Sequence, residues 1–424
     1  MDELKYKVIN LVDSTKGQQM KKLLLIAALA SLSMPALASK ARVTALGNAD
    51  HLVDPQTAFD NPSYLTLMGD YITFEAGTTN TTSAVVPGTT KWADYENGLD
   101  ANPNAEGGFV RSAGDAKWGA YLGRKSPFTD ASRRAFGFLQ QDNPIELQYA
   151  MKGPINWGAA LNYSSSDKKT TTQKQQAYGI RVGATTDLWD AYALVGLGST
   201  ANGNTAGAIV GTVDQNGNGT IDAADLTLIT ADPDSKYTGT TGFKIGGAYK
   251  MENIRAFLTY YQDGFKFEST TQPTAGGVTF NDLKMEQNQL DVGVLEHNKL
   301  DGGQWFYGAS YRMFNAKTTI TGGEIKTTAS YLPFLVGIEY DAASWVTLRA
   351  SATQNVLLGS RKVDDGNLSA LNDEANTIRQ NTKVAAGLGL RFNKWTVDGS
   401  WAAQTTGDVN TTNFLTNMGM TYAF

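Results

Sequence analysis

The segment Ile145–Met151 reads Ile-Glu-Leu-Gln-Tyr-Ala-Met, and beyond Gly153 and Pro154 residues 155–163 read Ile-Asn-Trp-Gly-Ala-Ala-Leu-Asn-Tyr. Apolar side chains occupy every second position in both segments. In an extended chain they therefore share one face, while small or polar side chains share the other. Two such segments joined by a short turn predict an antiparallel pair of strands.

The same alternation recurs at Tyr178–Ala184, Trp305–Met313 and Val384–Phe392. We expect short turns near residues 113–115, 153–154, 186–188, 251–253, 297–303, 342–344 and 393–394. We expect long polar connections near 78–106, 125–143, 165–173, 198–241, 264–281, 315–328, 355–380 and 405–411. These seven turns and eight connections join 16 strands, and 14 or 18 are acceptable alternatives.

This pattern predicts an all-β fold, a transmembrane antiparallel up-and-down β-barrel of about 16 strands with short periplasmic turns and long extracellular loops. Soluble β-sandwiches also alternate. Tryptophan favours the barrel, because five of the eight Trp residues directly follow an expected short turn, namely Trp157, Trp189, Trp305, Trp345 and Trp395. Such rings prefer the headgroup level of a membrane, so these five predict the periplasmic aromatic girdle.

Residues 20–38 are typical of a secretory signal peptide. Met20 is followed by two lysines, a short apolar run and a cleavage box at Ala36-Leu37-Ala38. We therefore expect 1–38 to be an upstream extension and signal peptide with the true start at Met20. Residues 39–62 are then predicted as a periplasmic N-terminal segment and 63–424 as the barrel. The bacterial outer membrane is the expected location.

Composition excludes several classes of function. The chain has 424 residues, no Cys, two His and a net charge of -5. Thiol and zinc-finger chemistry are absent without Cys, and an acidic chain is a poor nucleic-acid binder. His51 precedes the barrel and His297 falls in an expected periplasmic turn, so no Ser–His pairing is presented at the outer rim. We therefore expect no enzymatic activity.

Charged side chains on the non-apolar faces predict the lining of a pore. A barrel of 16 strands leaves an aqueous lumen, and opposed inward charges set its preference among ions. The alternative is that these charges merely pair along the wall. The expected pore-lining residues are Arg181, Arg255, Arg312, Arg349, Arg391, Glu146, Asp190, Glu339 and Asp398.

The longest expected loop, 198–241, contains a calcium-loop motif between Asp214 and Asp225. Oxygen-bearing residues recur at the spacing of a 12-residue calcium loop, with Gly219 at its sharp turn. The expected ligands of a weak Ca²⁺ site are Asp214, Asn216, Asn218, Thr220, Asp222 and Asp225. Asp225 replaces the usual Glu, so the motif resembles the dockerin-type variant of the EF-hand loop. The alternative is a polar loop that binds no metal.

The C-terminus, Met418-Gly-Met-Thr-Tyr-Ala-Phe424, alternates up to a terminal Phe. It resembles the signal by which the barrel-assembly machinery recognises outer-membrane proteins, and the whole pattern is similar to the Gram-negative outer-membrane porins. The segment 42–65 resembles porin-like proteins of predatory delta-proteobacteria. Within it, Phe59, Asn61 and Pro62 also resemble fatty-acid-channel proteins, whose N-terminal hatch is longer than the few residues available before the first expected strand.

Three functions remain open. The expected one is a porin-like channel for passive diffusion of small hydrophilic solutes. The alternatives are a structural or surface-interaction barrel, and a substrate-specific or hydrophobic-solute channel. The expected partners are outer-membrane lipid, the barrel-assembly machinery and further copies of the chain. Small outward residues such as Ala159, Ala191 and Ala193 favour a homo-oligomer, with a trimer the expected form.

Overall fold

The structure is a computed structural model that describes residues 39–77, 104–126, 128, 133, 137–204, 209–211, 226–228, 231–269, 274–275, 278–279, 282–320, 323–358, 361–365, 373–375, 382–404 and 417–424. The expected signal peptide, within 1–38, and the expected calcium loop, from Asp214 to Asp225, lie outside the described residues. Both stay predictions.

The described chain is almost entirely β-strand, as the alternation predicted. The strands are β1 (Tyr71–Gly77), β2 (Asn104–Ala113), β3 (Ala116–Leu122), β4 (Ile145–Met151), β5 (Asn156–Lys168), β6 (Gln173–Thr185), β7 (Trp189–Asn204), β8 (Ile209–Gly211), β9 (Leu226–Leu228), β10 (Asp232–Gly239), β11 (Gly242–Met251), β12 (Ile254–Glu268), β13 (Thr274–Ala275), β14 (Val278–Thr279), β15 (Asp282–Leu300), β16 (Gly303–Ile320), β17 (Gly323–Ala343), β18 (Val346–Leu357), β19 (Arg361–Asp365), β20 (Asp373–Ala375), β21 (Thr382–Phe392), β22 (Trp395–Gln404) and β23 (Asn417–Ala423). The pairs β8–β9 and β13–β14 form separate small sheets.

The other 19 strands form one closed antiparallel barrel of 16 wall positions. Three positions are each occupied by two strands lying end to end: β10 with β11, β18 with β19, and β20 with β21. The wall closes where β1 pairs with β23, and there the Thr73 and Thr421 hydroxyls lie 2.9 Å apart. The predicted fold class and strand number are both confirmed.

All seven expected short turns lie at one end of the barrel, between the strands that the sequence assigned to them. Two expected long connections are much shorter than predicted. β16 continues to Ile320 and β17 resumes at Gly323, while β5 ends at Lys168 and β6 begins at Gln173. The physical reason is that polar residues pair across these strands, as Lys317 does with Glu324 at 2.6 Å. Polar composition therefore does not end a strand that extends into water.

The outer face carries an exposed band of apolar side chains, such as Leu147, Leu161, Leu258 and Val336. Trp157, Trp305 and Trp395 start strands on the short-turn side with exposed indoles. A closed barrel satisfies every backbone group internally and presents its apolar face to lipid, which is the architecture of bacterial outer-membrane proteins. The protein is therefore an outer-membrane β-barrel. No helix in the described ranges is long and apolar enough to cross a membrane.

Residues 39–68, called the plug below, lie inside the barrel. The plug contains helix α1 (Lys40–Ala45) and two short 3-10 helices, Thr57–Phe59 and Pro62–Leu67. β1 begins at Tyr71, whereas the sequence analysis started the barrel at residue 63. Residues 39–62, expected as a periplasmic N-terminal segment, have side chains buried within the barrel. The segment folds inward because Leu46, Leu52 and Leu65 bury their side chains almost completely there.

Candidate functional site in the plugged lumen

The plug contacts strands on every side of the lumen. Arg42 donates two hydrogen bonds to Glu339 on β17, at 2.7 and 2.8 Å. Four wall positions from β17, Lys244 of β11 forms an ion pair with Asp60 at 2.8 Å. Further contacts lie between Lys40 and Glu106 of β2, Phe59 and Tyr121 of β3, Asp50 and Arg255 of β12, Leu46 and Leu295 of β15, and Thr44 and Asn417 of β23. The plug therefore spans the lumen near the short-turn end.

Arg255 links the plug to two wall strands. Its guanidinium pairs with Asp190 of β7 at 2.7 Å and with Asp50 of the plug, and it donates to the Tyr64 hydroxyl at 3.2 Å. Arg181 of β6 makes a comparable link, because it pairs with Glu146 at 3.0 Å and donates to the Phe59 carbonyl oxygen. Two arginines predicted to line a pore thus hold the plug in place.

An apolar cluster complements these polar contacts. Leu46, Ala49 and Leu52 of the plug pack against Leu295 of β15 and Phe306 of β16, and all five are at most 3% exposed. Burial of such side chains stabilises the docked plug by about 25 cal/mol for each Å² of apolar surface removed from water. Because ion pairs alone contribute little net stability when buried, this cluster supplies the favourable free energy of docking.

Glycines on the inner wall allow the plug to approach closely. A Cβ atom at Gly158 would lie 2.5 Å from the Pro62 carbonyl carbon, and one at Gly387 would lie 2.5 Å from the Ala45 Cβ. Gly183 faces the Asn61 side chain in the same way. At these three glycines the backbone of the wall therefore lies in direct contact with the plug.

Ionisable groups of the plug have pKa values that are shifted in different directions. Burial alone would raise the pKa of Asp60, but the Lys244 ammonium holds it below its ordinary value. Burial raises the pKa of Asp54, with Arg42 opposing it. Burial lowers the pKa of His51 to about 3, and neighbouring His297 and Arg42 act in the same direction. His51 is therefore neutral in the docked plug at ordinary pH.

All nine predicted pore-lining residues take part in ion pairs within the lumen. Arg312 pairs with Asp291 at 2.7 Å, and Arg391 pairs with Asp341 at 3.1 Å. Arg349 bridges Glu339 and Asp398 at 2.8 and 2.6 Å. The remaining pairs are Arg181 with Glu146 and Arg255 with Asp190. The alternative of pairing along the wall therefore describes these charges better than a transverse field from unpaired ions.

The extracellular half of the inner wall carries a group of apolar side chains, unlike the ion-paired region around the plug. Seven inward side chains on β10, β12, β15, β16 and β17 form what we call the luminal apolar surface: Tyr237, Phe265, Phe267, Leu283, Met285, Phe314 and Tyr331, each at most 5% exposed. This surface is not apparent from the sequence, because Tyr237, Phe265 and Phe267 lie in stretches expected to be long polar connections, 198–241 and 264–281.

The segment between β3 and β4 folds onto this surface. The Phe138 ring lies 5.6 Å from the Tyr237 ring and 5.7 Å from the Phe267 ring. Phe128 fits a slot left by Gly196 and Gly242, where added Cβ atoms would lie 2.9 and 2.7 Å from its ring. The described residues of this segment thus insert into the lumen.

Between these regions, a polar cavity of about 370 Å³ lies over the plug. It is lined by cationic and hydroxyl-bearing side chains of both plug and wall, including Lys40, Arg124, Lys125, Tyr192, Lys244 and Arg255. Within the described residues, no group of three or more His, Asp or Glu side chains is arranged to hold a metal ion.

No protein-family model matches the chain, and no curated protein matches it. Solved structures similar to it include the Ralstonia pickettii toluene transporter TbuX, at 12% identity over 92% of this chain and 99% of that chain, with a TM-score of 0.41. A Pseudomonas aeruginosa FadL homologue has 14% identity over 92% and 98% of the two chains, with a TM-score of 0.41. The Vibrio cholerae outer membrane protein OmpT, in a trimer form, has 13% identity over 84% and 98%, with a TM-score of 0.35. Likenesses at this level carry no argument about solute or family.

Proposed function

We propose that the protein is an outer-membrane channel for small apolar or amphipathic solutes, closed on its periplasmic side by the plug. The luminal apolar surface carries this proposal. Ligand sites are concave and mostly apolar with a few placed polar groups, and this surface lies above a cavity lined by cationic side chains. Phe138 of the segment between β3 and β4 packs on this surface, so a solute reaches the surface by displacing that segment. An apolar solute then replaces the lost apolar contacts, whereas a hydrophilic solute does not.

The plug also favours this function over an open porin. Porin-like diffusion of hydrophilic solutes, the function first expected from the sequence, needs a continuous aqueous passage. The plug instead contacts wall strands all round the short-turn end through pairs such as Arg42–Glu339 and Lys244–Asp60. A solute can cross this end only when the plug rearranges, so passage is gated rather than open.

Uptake of radiolabelled naphthalene by Gram-negative cells that express the chain tests this function, because the lipopolysaccharide layer slows apolar solutes. Expression should raise the uptake rate. The variants Phe267→Asp and Met285→Asp should abolish the increase, since each places a charge on the luminal apolar surface. Thr353→Asp is the matched control, because Thr353 follows the inward-facing Arg349 and Ser351 on β18, outside this surface.

Planar-bilayer conductance separates the alternatives. We expect no large ohmic steps from the wild-type chain. Large steady steps together with unchanged naphthalene uptake would establish the hydrophilic porin instead. The absence of both would favour a structural barrel.

We also propose a homo-oligomer. On the outer face, small residues of β11, β12 and β16 form the floor of an apolar groove of about 710 Å³, namely Gly247, Ala256 and Ala309, beside Tyr249 and Leu258. Small residues permit close approach in lipid. Native mass spectrometry in mild detergent should give a multiple of the chain mass, and a single-chain mass would contradict it.

A further inference from the structure

Asp263 of β12 is a carboxylate buried on the inner wall, at the edge of the luminal apolar surface. It is 7% exposed and faces the lumen between Tyr261 and Phe265, since alternate residues of a strand share a face. The Tyr261 hydroxyl donates to its Oδ2 at 2.6 Å, and Gln287, directly opposite on β15, is a second uncharged donor. Among the described residues, its Oδ1 has no hydrogen-bond partner. One oxygen of this carboxylate is therefore left for a further donor.

The described residues supply no counter-ion to Asp263. No Lys or Arg within the described ranges forms an ion pair with it. Inward cations of nearby strands are each paired with another carboxylate, Lys244 of β11 with Asp60 at 2.8 Å and Arg312 of β16 with Asp291 at 2.7 Å. A buried carboxylate without a counter-ion is strongly unfavourable. The lumen thus presents a place for one positive charge.

Apolar side chains adjoin this carboxylate on the same wall. Phe265 follows it on the inward face of β12, and Met285 lies directly opposite Phe265 on β15, each 3% exposed. The Phe265 ring stacks on the Tyr237 ring with centroids 5.2 Å apart. Residues two apart on a strand are about 7 Å apart. A single ligand can therefore place a charged group at Asp263 and an apolar body on Phe265 and Met285.

The luminal apolar surface already holds a cation of the chain itself. Arg133, in the segment between β3 and β4, is 0% exposed, and its guanidinium lies over the Tyr237 ring, 5.6 Å from the centroid. Its hydrogen bonds to Gln175 at 2.8 Å, the Gln176 carbonyl at 2.8 Å and Ser199 at 2.6 Å end on uncharged oxygens. Cation–π contacts are strongest for such desolvated cations. The aromatic part of this surface is therefore suited to an organic cation.

We propose that Asp263 is the counter-ion for a cationic amphipathic solute, an alkyl- or arylammonium ion with an apolar body. The ammonium N–H donates to the Asp263 Oδ1, and the apolar body packs on Phe265 and Met285. The proposal rests on the proposed function, because the ligand reaches this wall as any solute does, by displacing the segment that carries Arg133 and Phe138. A neutral solute leaves the carboxylate uncompensated, and an anionic solute is repelled by it.

Binding of three naphthalene derivatives to the purified barrel tests this assignment. Naphthylmethylammonium, naphthalenemethanol and naphthoate share one ring system and differ in the charge of a single group at neutral pH. Equilibrium dialysis with equal detergent on both sides gives the three affinities. We expect the wild-type chain to bind the ammonium compound about tenfold more tightly than the alcohol, as for a hydrogen bond between charged groups, and naphthoate most weakly. Equal affinities for the ammonium compound and the alcohol would overturn the proposal without recourse to any variant.

Removal of the carboxylate locates the site. Asp263→Asn should abolish the preference for the ammonium compound over the alcohol. Glu286→Gln is the matched control, because Glu286 lies opposite Gly264 in the ladder but on the outer face, 45% exposed and paired with Lys284 at 2.8 Å. It removes the same charge at the same height of the barrel and should keep the preference. A preference that persists in Asp263→Asn, or that both variants lose equally, would contradict the assignment.

The naphthalene uptake assay separates this inference from the proposed function. Unchanged naphthalene uptake, together with an ammonium preference that depends on Asp263, would reject the channel and leave the cation site established. Raised naphthalene uptake without an ammonium preference would leave the channel established and reject the role of Asp263.

Discussion

His51 of the plug stacks on His297 of β15, with ring centroids 5.2 Å apart and ring planes 12° apart. They are the two histidines of the chain, and the tertiary structure places one on each side of the interface between plug and wall. His51 also lies 4.7 Å from the Phe306 ring. Two neutral imidazoles pack well in such surroundings, whereas two imidazolium ions would repel each other.

The first prediction is that acid loosens the plug through His51. Its pKa is about 3 in the docked plug, chiefly through burial, against about 6.5 for a free imidazole. The docked state binds fewer protons, so this contribution is complete above about pH 6.5 and declines as the pH falls toward 3. Hydrogen exchange of the plug at pH 4 and pH 7 should show the difference, and His51→Phe should reduce it.

Two buried carboxylates of the plug, Asp50 and Asp54, act with the opposite sign. Burial raises the pKa values of Asp50 and Asp54, so acid favours the docked state through them. The comparison of wild type with His51→Phe isolates the histidine contribution. An identical pH dependence in the two chains would show that His51 does not control seating.

The second prediction concerns Arg255. Arg255→Met keeps much of the side-chain volume but leaves Asp50 and Asp190 without their guanidinium partner. Breaking a buried pair costs about 3–5 kcal/mol. The protection of plug amides from hydrogen exchange should therefore fall steeply while the barrel stays folded. Arg391→Met is the control, since Arg391 pairs with Asp341 of the wall. Equal effects from the two variants would refute a specific role of Arg255 in docking.

The third prediction replaces a wall glycine by a residue whose side chain collides with the plug. Gly158→Val places a side chain where Pro62 now lies, with the Cβ 2.5 Å from its carbonyl carbon. Overpacking of this kind costs about 1–3 kcal/mol, so the plug should unseat more often and bilayer conductance should rise. Gly153→Val is the matched control, because the nearest atom to its Cβ would be 3.5 Å away. No rise in conductance would mean that the plug does not close the lumen.

The fourth prediction concerns calcium. The sequence motif predicts weak binding by Asp214, Asn218 and Asp225, in the millimolar to sub-millimolar range of extracellular sites, on the order of 10⁻⁴–10⁻³ M. Calcium should protect residues 210–230 from protease, and Asp214→Ala with Asp225→Ala should remove that protection. Magnesium should substitute poorly, since it requires tight octahedral geometry. Equal cleavage with calcium and with chelator would establish a loop that binds no metal.

The fifth prediction concerns assembly. Phe424 is 45% exposed on the outer face, contacts Tyr422 edge-on at 5.5 Å and lies under the Arg111 guanidinium at 4.5 Å. Its role in assembly is argued from the C-terminal pattern, so Phe424→Ala should lower the yield of heat-modifiable barrel several-fold. Phe392→Ala, also on the outer face and 52% exposed, is the control. A similar loss in both would show a general effect of lost apolar surface.

The wall of the barrel could be predicted from sequence because the patterns that specify strands and turns involve only residues close together in the chain. Alternation along Ile145–Met151 fixes which side chains face lipid, and the residues at turns such as Gly153-Pro154 and Asn393-Lys394 fix where strands end. Arg181, Arg255 and Arg349 were predicted on inward faces for the same reason, and their ion pairs are with Glu146, Asp190 and Glu339. Each of these inferences needs only neighbours within a few positions.

The plug and its contacts were decided by the tertiary structure alone. Residues 39–68 have no single repeat period, so nothing local distinguishes a periplasmic segment from one folded inside a barrel. Arg42 meets Glu339, and His51 meets His297, only because the wall closes and brings distant strands around one lumen. The free energy of these contacts depends on burial and on the balance of charges in three dimensions, which spacing along a chain does not encode.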